Sequence, residues 1–362
     1  MANADPFSIS TLLSSLQHLR FTSATQPMTT PAVPPPPPRG ILFTIPQPRY
    51  DPQPLNNSFP GGFLTPHYLD SRLQSMFNLM TNSKEEYNIG PFKEMVSRLS
   101  RRELQKMAYL LTSDPDYFLE IARNKNGSHR LQRLLGKSDD ADNLFFAAIL
   151  RRFLHVMTDR YASYVALRGM QVFDDKKKEL MYDAYILPHA LQLACDRHGY
   201  IALKEVITDL DHPFYRNQLL DIVALNALSL SYDAYGNYVV QHVLTLNDLR
   251  CTLNIAVSLV GHCVELSFDK FGSYIVEKLL ETEESMVLVV VEELLKCGGD
   301  RLLRLARNEF GSFVVVKALR VTQKMNRVDL FRGLVQKLMP FRHLLRMPRG
   351  SNTIAAIIES VC

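Results

Sequence analysis

Ser231–Leu244, SYDAYGNYVVQHVL, and Ser267–Leu280, SFDKFGSYIVEKLL, are two versions of one pattern set 36 residues apart. Both read Ser–aromatic–Asp–x–aromatic–Gly–(Asn/Ser)–Tyr–(Val/Ile)–Val–(Gln/Glu)–(His/Lys)–apolar–Leu. Self-similarity at a period of about 20–50 residues marks a solenoid or array. The small residue of the motif recurs at Gly127, Ala162, Gly199, Gly236, Gly272, Gly311 and Gly350, with spacings of 35, 37, 37, 36, 39 and 39. A degenerate copy at Met80–Ser100, MTNSKEEYNIGPFKEMVSRLS, has the length but not the motif.

Each period holds an amphipathic segment, such as Asn217–Leu228 (NQLLDIVALNAL), and then the motif segment. No strand-type alternation interrupts them. Each unit is therefore two or three short helices whose apolar faces are buried by stacking on neighbours. Let the variable residue, Asn237 or Ser273, be position i. Apolar residues fall at i+2, i+3, i+6 and i+7: Val239, Val240, Val243 and Leu244, then Ile275, Val276, Leu279 and Leu280. That stripe is the predicted core. Positions i, i+1 and i+4 lie away from it and are expected on one shared exposed face. The small residue before i lets the helix start approach its neighbour closely.

Composition bounds the rest. The chain of 362 residues is 46% hydrophobic and 22% charged, a globular composition that suits one long array or about two ordinary domains. No apolar run approaches the ~20 residues of a membrane helix. The start, MANADPFSIS, lacks a basic then apolar segment, so no secretory signal is expected. Five cysteines without a C-x-x-C pair fit reduced thiols in an intracellular protein, and a cytoplasmic location is expected. The net charge of +4 is too balanced to imply nucleic acid by itself. Any such binding must come from arrangement.

Composition shifts near residue 66. Fourteen of the 20 prolines precede residue 67, including the run Pro34–Pro38. Residues 1–66 read as a disordered tail with a short polyproline II tract, and residues 67–362 as the repeat domain. The tract suits either a stiff solvated linker or a ligand for an SH3- or WW-like domain.

The trio Asn237/Tyr238/Gln241 sets two amides beside an aromatic ring. Uracil presents one donor flanked by two acceptors, which amides match, and Tyr238 can stack on a base. In Ser273/Tyr274/Glu277 a carboxylate offers acceptors only. Guanine presents two adjacent N–H donors on its Watson–Crick edge, so Glu277 favours guanine.

DAYGNYVVQHV and DKFGSYIVEKL resemble adjacent RNA-reading helices of the Pumilio (PUF) family, and the resemblance spans about residues 70–362. It implies an all-α, right-handed superhelical crescent of about seven to eight three-helix repeats. Single-stranded RNA would lie along the concave face, antiparallel to the chain, about one base per repeat. The two motifs look like the family's sixth and seventh repeats. The copy at Ser312 is then the eighth, and Leu344–Ser360 resembles the C-terminal cap. The copies at Ser128, Ser163 and Tyr200 become the third, fourth and fifth, and Met80–Ser100 the second.

Residue by residue, Ser128 and Gln132 look like the family's adenine pair, with His129 as stacker. Ser163/Tyr164/Leu167 keeps the stacker but has leucine at the second edge. Tyr200/Ile201/Lys204 has lost the pattern, although Lys204 suits a base acceptor or a phosphate. Ser312/Phe313/Val316 keeps an aromatic but has valine at the second edge. An apolar group facing a polar base edge forfeits a hydrogen bond, roughly 1–3 kcal/mol where a partner is left unpaired. Stacking by Tyr164, Tyr238, Tyr274 and Phe313 tolerates any base. The expected preference is a degenerate 5′-N-G-U-N-N-A in the 3′ untranslated regions of messages. The implied role is control of translation and message stability. Effector proteins would dock on the tail or the convex face, and the protein would act as a monomer.

Other features are weaker. Arg301, Arg304 and Arg307 suit phosphate contact or a solvated helix face equally, as do Arg342, Arg346 and Arg349. Lys176–Lys178 reads as an inter-repeat loop. The histidines show no metal-ligand spacing, and no P-loop, G-x-S-x-G or H-E-x-x-H occurs. Neither catalysis nor a cofactor is expected. The alternative is a protein-binding α-solenoid scaffold that has lost specific RNA binding.

Overall fold

The computed structural model describes residues 66–82, 89–346 and 351–360. The Pro-rich segment, up to residue 65, lies outside them. By contacts the chain divides into Met1–Ser71 and Arg72–Cys362, and every repeat lies in the second unit. Every regular element among the described residues is helical.

The full repeats contain three helices each. The Asn237 repeat comprises Pro213–Leu225, Ala227–Tyr232 and Gly236–Thr245. The segment expected from Asn217 to Leu228 is thus two helices. Asn226 leaves helical geometry (φ −108°, ψ 14°), and its Nδ2 donates back to the Ile222 carbonyl at 2.8 Å. The Ser273 repeat comprises Leu249–Leu259, Cys263–Phe268 and Gly272–Leu279. Its first turn passes through Gly261 at φ 82°, a left-handed conformation that favours glycine.

Third helices pack on one another in sequence, from Lys125–Leu134 through Ser163–Val172, Gly199–Asp209, Gly236–Thr245, Gly272–Leu279 and Gly311–Lys324 to Ser351–Glu359. Ile89–Arg98 packs on the first of these, so the degenerate Met80–Ser100 copy does supply a third helix. Ser351–Glu359 closes the other end, as the cap resemblance implied. The predicted stripe is the core. Val239, Val240, Val243, Ile275, Val276 and Leu279 are all sealed from solvent. Each such side chain contributes about 1.5–3 kcal/mol through burial.

One polar device starts the six third helices from Lys125–Leu134 to Gly311–Lys324. The residue four before i is Asn124, Asp159, Asp196, Asp233, Asp269 or Asn308. In each, the side-chain Oδ1 accepts from two backbone N–H groups, at 2.7–3.0 Å. This satisfies orphan donors of the helix start. The small residue that follows sits against the second helix. A Cβ on Gly272 would lie 2.7 Å from the Leu266 carbonyl oxygen.

The Tyr200 repeat departs from the pattern. Lys176–Lys178 lie on the helix Asp175–Met181, not in a loop, because Asp174 caps it by accepting from the Lys177 N–H at 3.0 Å. That helix runs through a π turn, Tyr182–Ile186, into Leu187–Ala194, with Leu187 N–H reaching back to the Tyr182 carbonyl. The proline at position 188 has no N–H to continue an i→i−4 ladder, which suits such a wider turn.

Candidate nucleic-acid interface

The third helices set their i, i+1 and i+4 residues in one row, but at different depths. Position i+1 is exposed: Tyr164 at 47%, Tyr238 at 44%, Tyr274 at 45% and Phe313 at 59%. His129 is exposed too. Position i was expected on the same exposed face and is not. Ser128, Ser163, Asn237, Ser273 and Ser312 are all buried. The third helices pack side by side, and the neighbour covers the shoulder of the helix next to the small residue. Position i+4 is half-buried between the two.

This depth changes the chemistry of the amide pair. Asn237 Nδ2 donates to the carbonyls of Asp233 at 2.8 Å and Ala234 at 3.0 Å. Its Oδ1 accepts from Gln241 Nε2 at 2.9 Å. Carbonyl acceptors on one side therefore orient Asn237, and Asn237 in turn orients Gln241. Gln241 keeps Oε1 and one N–H for an outside partner, an acceptor beside a donor. Ser128 repeats the arrangement. Its Oγ donates to the Tyr161 carbonyl at 2.7 Å and accepts from Gln132 Nε2 at 3.0 Å. Ser273 Oγ donates to the Lys270 carbonyl at 3.1 Å.

Glu277 is half-buried, and burial pushes its carboxyl above the ordinary value of 4.5 while the Lys317 charge pulls it back. Lys317 Nζ lies 3.8 Å from Glu277 and 2.5 Å from Glu281. Lys317 belongs to the following repeat, a partner that no motif spacing announced. The remaining second-edge residues behave differently. Leu167 and Val316 pack against the core. Lys204 is half-buried and makes no ion pair with a described residue; burial, then its charge, lowers the His242 imidazole below its ordinary value.

The arginines singled out earlier lie elsewhere. Arg301, Arg304 and Arg307 are exposed along the second helix Gly299–Arg307, outside the third-helix row, and Arg301 pairs with Glu265. Arg346 pairs with Glu359 in the cap at 2.5 Å. Position 349 falls outside the described residues.

The model of the Pumilio-family RNA binding repeat matches residues 117–145, 226–248 and 262–295. Along 361 residues the chain is 57% identical to Pumilio homolog 18 of Arabidopsis thaliana, covering 99% of this chain and 98% of that one. The chain belongs to the Pumilio family. It is also 62% identical over 301 residues to Putative pumilio homolog 19 of the same plant, covering 83% of this chain and 90% of the relative. The three segments matched by the Pumilio model hold Ser128/Gln132, Asn237/Gln241 and Ser273/Glu277. The trios ending in Leu167, Lys204 and Val316 fall outside them. Among solved structures, the fold resembles that described as Puf4 RNA binding domain bound to HO endonuclease RNA 3′ UTR recognition sequence. The TM-score is 0.68 at 23% identity, over 80% of this chain and 89% of that one. PUF-8 in complex with PBE-RNA gives a TM-score of 0.62 at 17% identity. The Pumilio repeat is an RNA-binding unit, not an enzyme fold. No helix among the described residues is long and apolar enough to cross a membrane.

The i−4 Asp/Asn row was the signal left unused in the sequence. It recurs six times in the same register as the small residue and locates each third helix without the glycine.

The Glu277 carboxyl gives a pH prediction. If Glu277 meets guanine, the N–H donors of the base favour the carboxylate, so binding would drive off any proton held by Glu277. Affinity for a guanine-bearing RNA should fall as pH falls through the raised value and hold constant above it. Glu277→Gln should lose this dependence, which RNA titrations across the acidic range would check.

Proposed function

We propose that this Pumilio protein binds single-stranded RNA along the third-helix row, with a degenerate 5′-N-G-U-N-N-A preference. The supporting observation is that two adjacent second-edge groups, Gln241 and Glu277, each stand beside a half-exposed tyrosine on consecutive helices. Tyr238 and Tyr274 supply stacking, Gln241 meets uracil through its acceptor and donor, and Glu277 meets guanine through its carboxylate. Asn237 and Ser273 act from below: Asn237 fixes the amide of Gln241, and Ser273 leaves room for the carboxylate of Glu277. Ser128, Gln132 and His129 take adenine. Tyr164 and Phe313, beside Ser163 and Ser312, stack without selecting a base, and Lys204 meets phosphate or a base acceptor.

Relatives of this fold have been solved with 3′ UTR recognition sequences, which supports a role in regulating the translation and stability of messages in the cytoplasm. Effector proteins would then dock on the Pro-rich tail or the face away from the RNA. A protein-binding scaffold is the second reading. It is favoured by Leu167 and Val316 turning into the core and by Phe214 (57% exposed) and Leu225 (72% exposed) on the first helix of the Asn237 repeat.

Titration of the full chain with a G-U RNA across a salt series tests this reading. RNA binding gives an affinity that drops as salt rises, by roughly 0.7 decades per decade for each phosphate neutralised. It also gives an advantage of about tenfold or more over an RNA whose G-U step is reversed. Equal, negligible binding of both would leave the scaffold.

A further inference from the structure

Position i is small and buried in five of the six full repeats, and tyrosine in the sixth. Tyr200 does not fit the closed pocket that holds Asn237 or Ser273. It is half-buried, and its ring extends along the row towards the next repeat. There it lies 5.3 Å from the Tyr238 ring at an interplanar angle of 25°, and 5.9 Å from Tyr235 at 16°. These are stacked arrangements, and a base stacking on Tyr238 from that side would need the same place. Tyr200 comes from the preceding repeat, so the face it covers is the one turned away from Tyr274. Among the described residues no ring contact joins Tyr238 to Tyr274, and that side stays open.

We infer that Tyr200 is an internal base surrogate that ends the stacking run at Tyr238, so that the nucleotide 3′ of the uracil crosses the Tyr200 repeat unstacked. The inference rests on the RNA register proposed above. The rest of that repeat agrees with it. Ile201 stands at the stacking position with no π face, and Lys204 offers one charge where a paired edge is needed. The array then reads RNA in two blocks. One block is the run facing Tyr238, Tyr274 and Phe313. The other centres on Ser128 and Gln132. Their separation in nucleotides is set by a slack crossing and not by a base held in each repeat. Tyr200 is thus a specificity-determining residue for spacing.

The test is a 2-aminopurine base placed immediately 3′ of the uracil in a G-U RNA, titrated with the full chain. A matching RNA carries one extra nucleotide at that point. In the wild-type complex the probe should be at least as bright as in free RNA, and the extra nucleotide should change Kd by less than about threefold. Tyr200→Ser uncovers Tyr238, so the probe should be quenched and the extra nucleotide should cost about tenfold, the scale of one stacked base. Tyr200→Phe keeps the ring and should behave as the wild type. A quenched probe in the wild-type complex overturns the inference, as does a Tyr200→Ser protein indistinguishable from it. If Tyr200→Ser does not fold, the wild-type probe and its spacing tolerance still decide. Loss of any preference for G-U RNA in the wild type would instead remove the register itself, and the inference with it; a G-U preference with a quenched probe removes the inference alone.

Discussion

Combining Ser273→Asn with Glu277→Gln should turn the guanine preference proposed for this repeat into a uracil preference, by about tenfold to a hundredfold in relative affinity. Glu277 offers only acceptors to the two N–H donors of guanine, whereas a glutamine there brings a donor that opposes one of them. The new asparagine has a ready seat. Asn237 shows that such a side chain is fully buried at this position when two backbone carbonyls accept from it. The equivalent carbonyls, of Asp269 and Lys270, already accept from the Ser273 backbone N–H at 3.0 Å and hydroxyl at 3.1 Å. Losing the Glu277 charge does not strand Lys317, because Glu281 holds it at 2.5 Å. Affinities for two RNAs differing only by G or U at that base check the switch. A preference that stays with guanine would show that the register is displaced.

The largest expected loss of stability comes from Gly127→Ala. A Cβ on Gly127 would lie 2.0 Å from the Ile121 carbonyl oxygen and 3.0 Å from its carbon. Those are backbone atoms, so no rotamer change relieves the clash, and the second and third helices of that repeat must move apart. Overpacking of this kind costs about 3 kcal/mol. The reverse change at the equivalent place, Ala162→Gly, should cost only about 0.5–1 kcal/mol, because that repeat already accommodates a methyl group. Denaturant unfolding of the two variants beside the wild type checks both. A loss under about 1 kcal/mol for Gly127→Ala would mean that the helices are not held as closely as described.

The array, its repeat spacing and its core stripe were legible because all three depend on periodicity. Val239, Val240, Val243 and Leu244 recur at helical spacing, and the buried face follows from spacing alone. The depth of position i was not legible. Periodicity gives the angle of Asn237 around its helix, but its burial depends on how closely the next third helix lies, a property of the stack. The same limit hides the partner of Glu277. Lys317 sits on another helix, and only the packing of Gly311–Lys324 on Gly272–Leu279 brings the two charges together. Tyr200 looked like simple loss of the motif. Its contact with Tyr238 is a consequence of a large ring at a position whose pocket admits only small side chains. The Asp/Asn caps were present in the sequence at a constant offset, and their role follows from the orphan N–H groups at every helix start.

Selection of the full chain against a random single-stranded RNA pool tests the central claim most directly, since it depends on binding, register and degeneracy together. The expected outcome is enrichment of a G-U step, with adenine favoured downstream and open positions between. Enrichment of sequences without a G-U step, or no enrichment at all, would contradict the account.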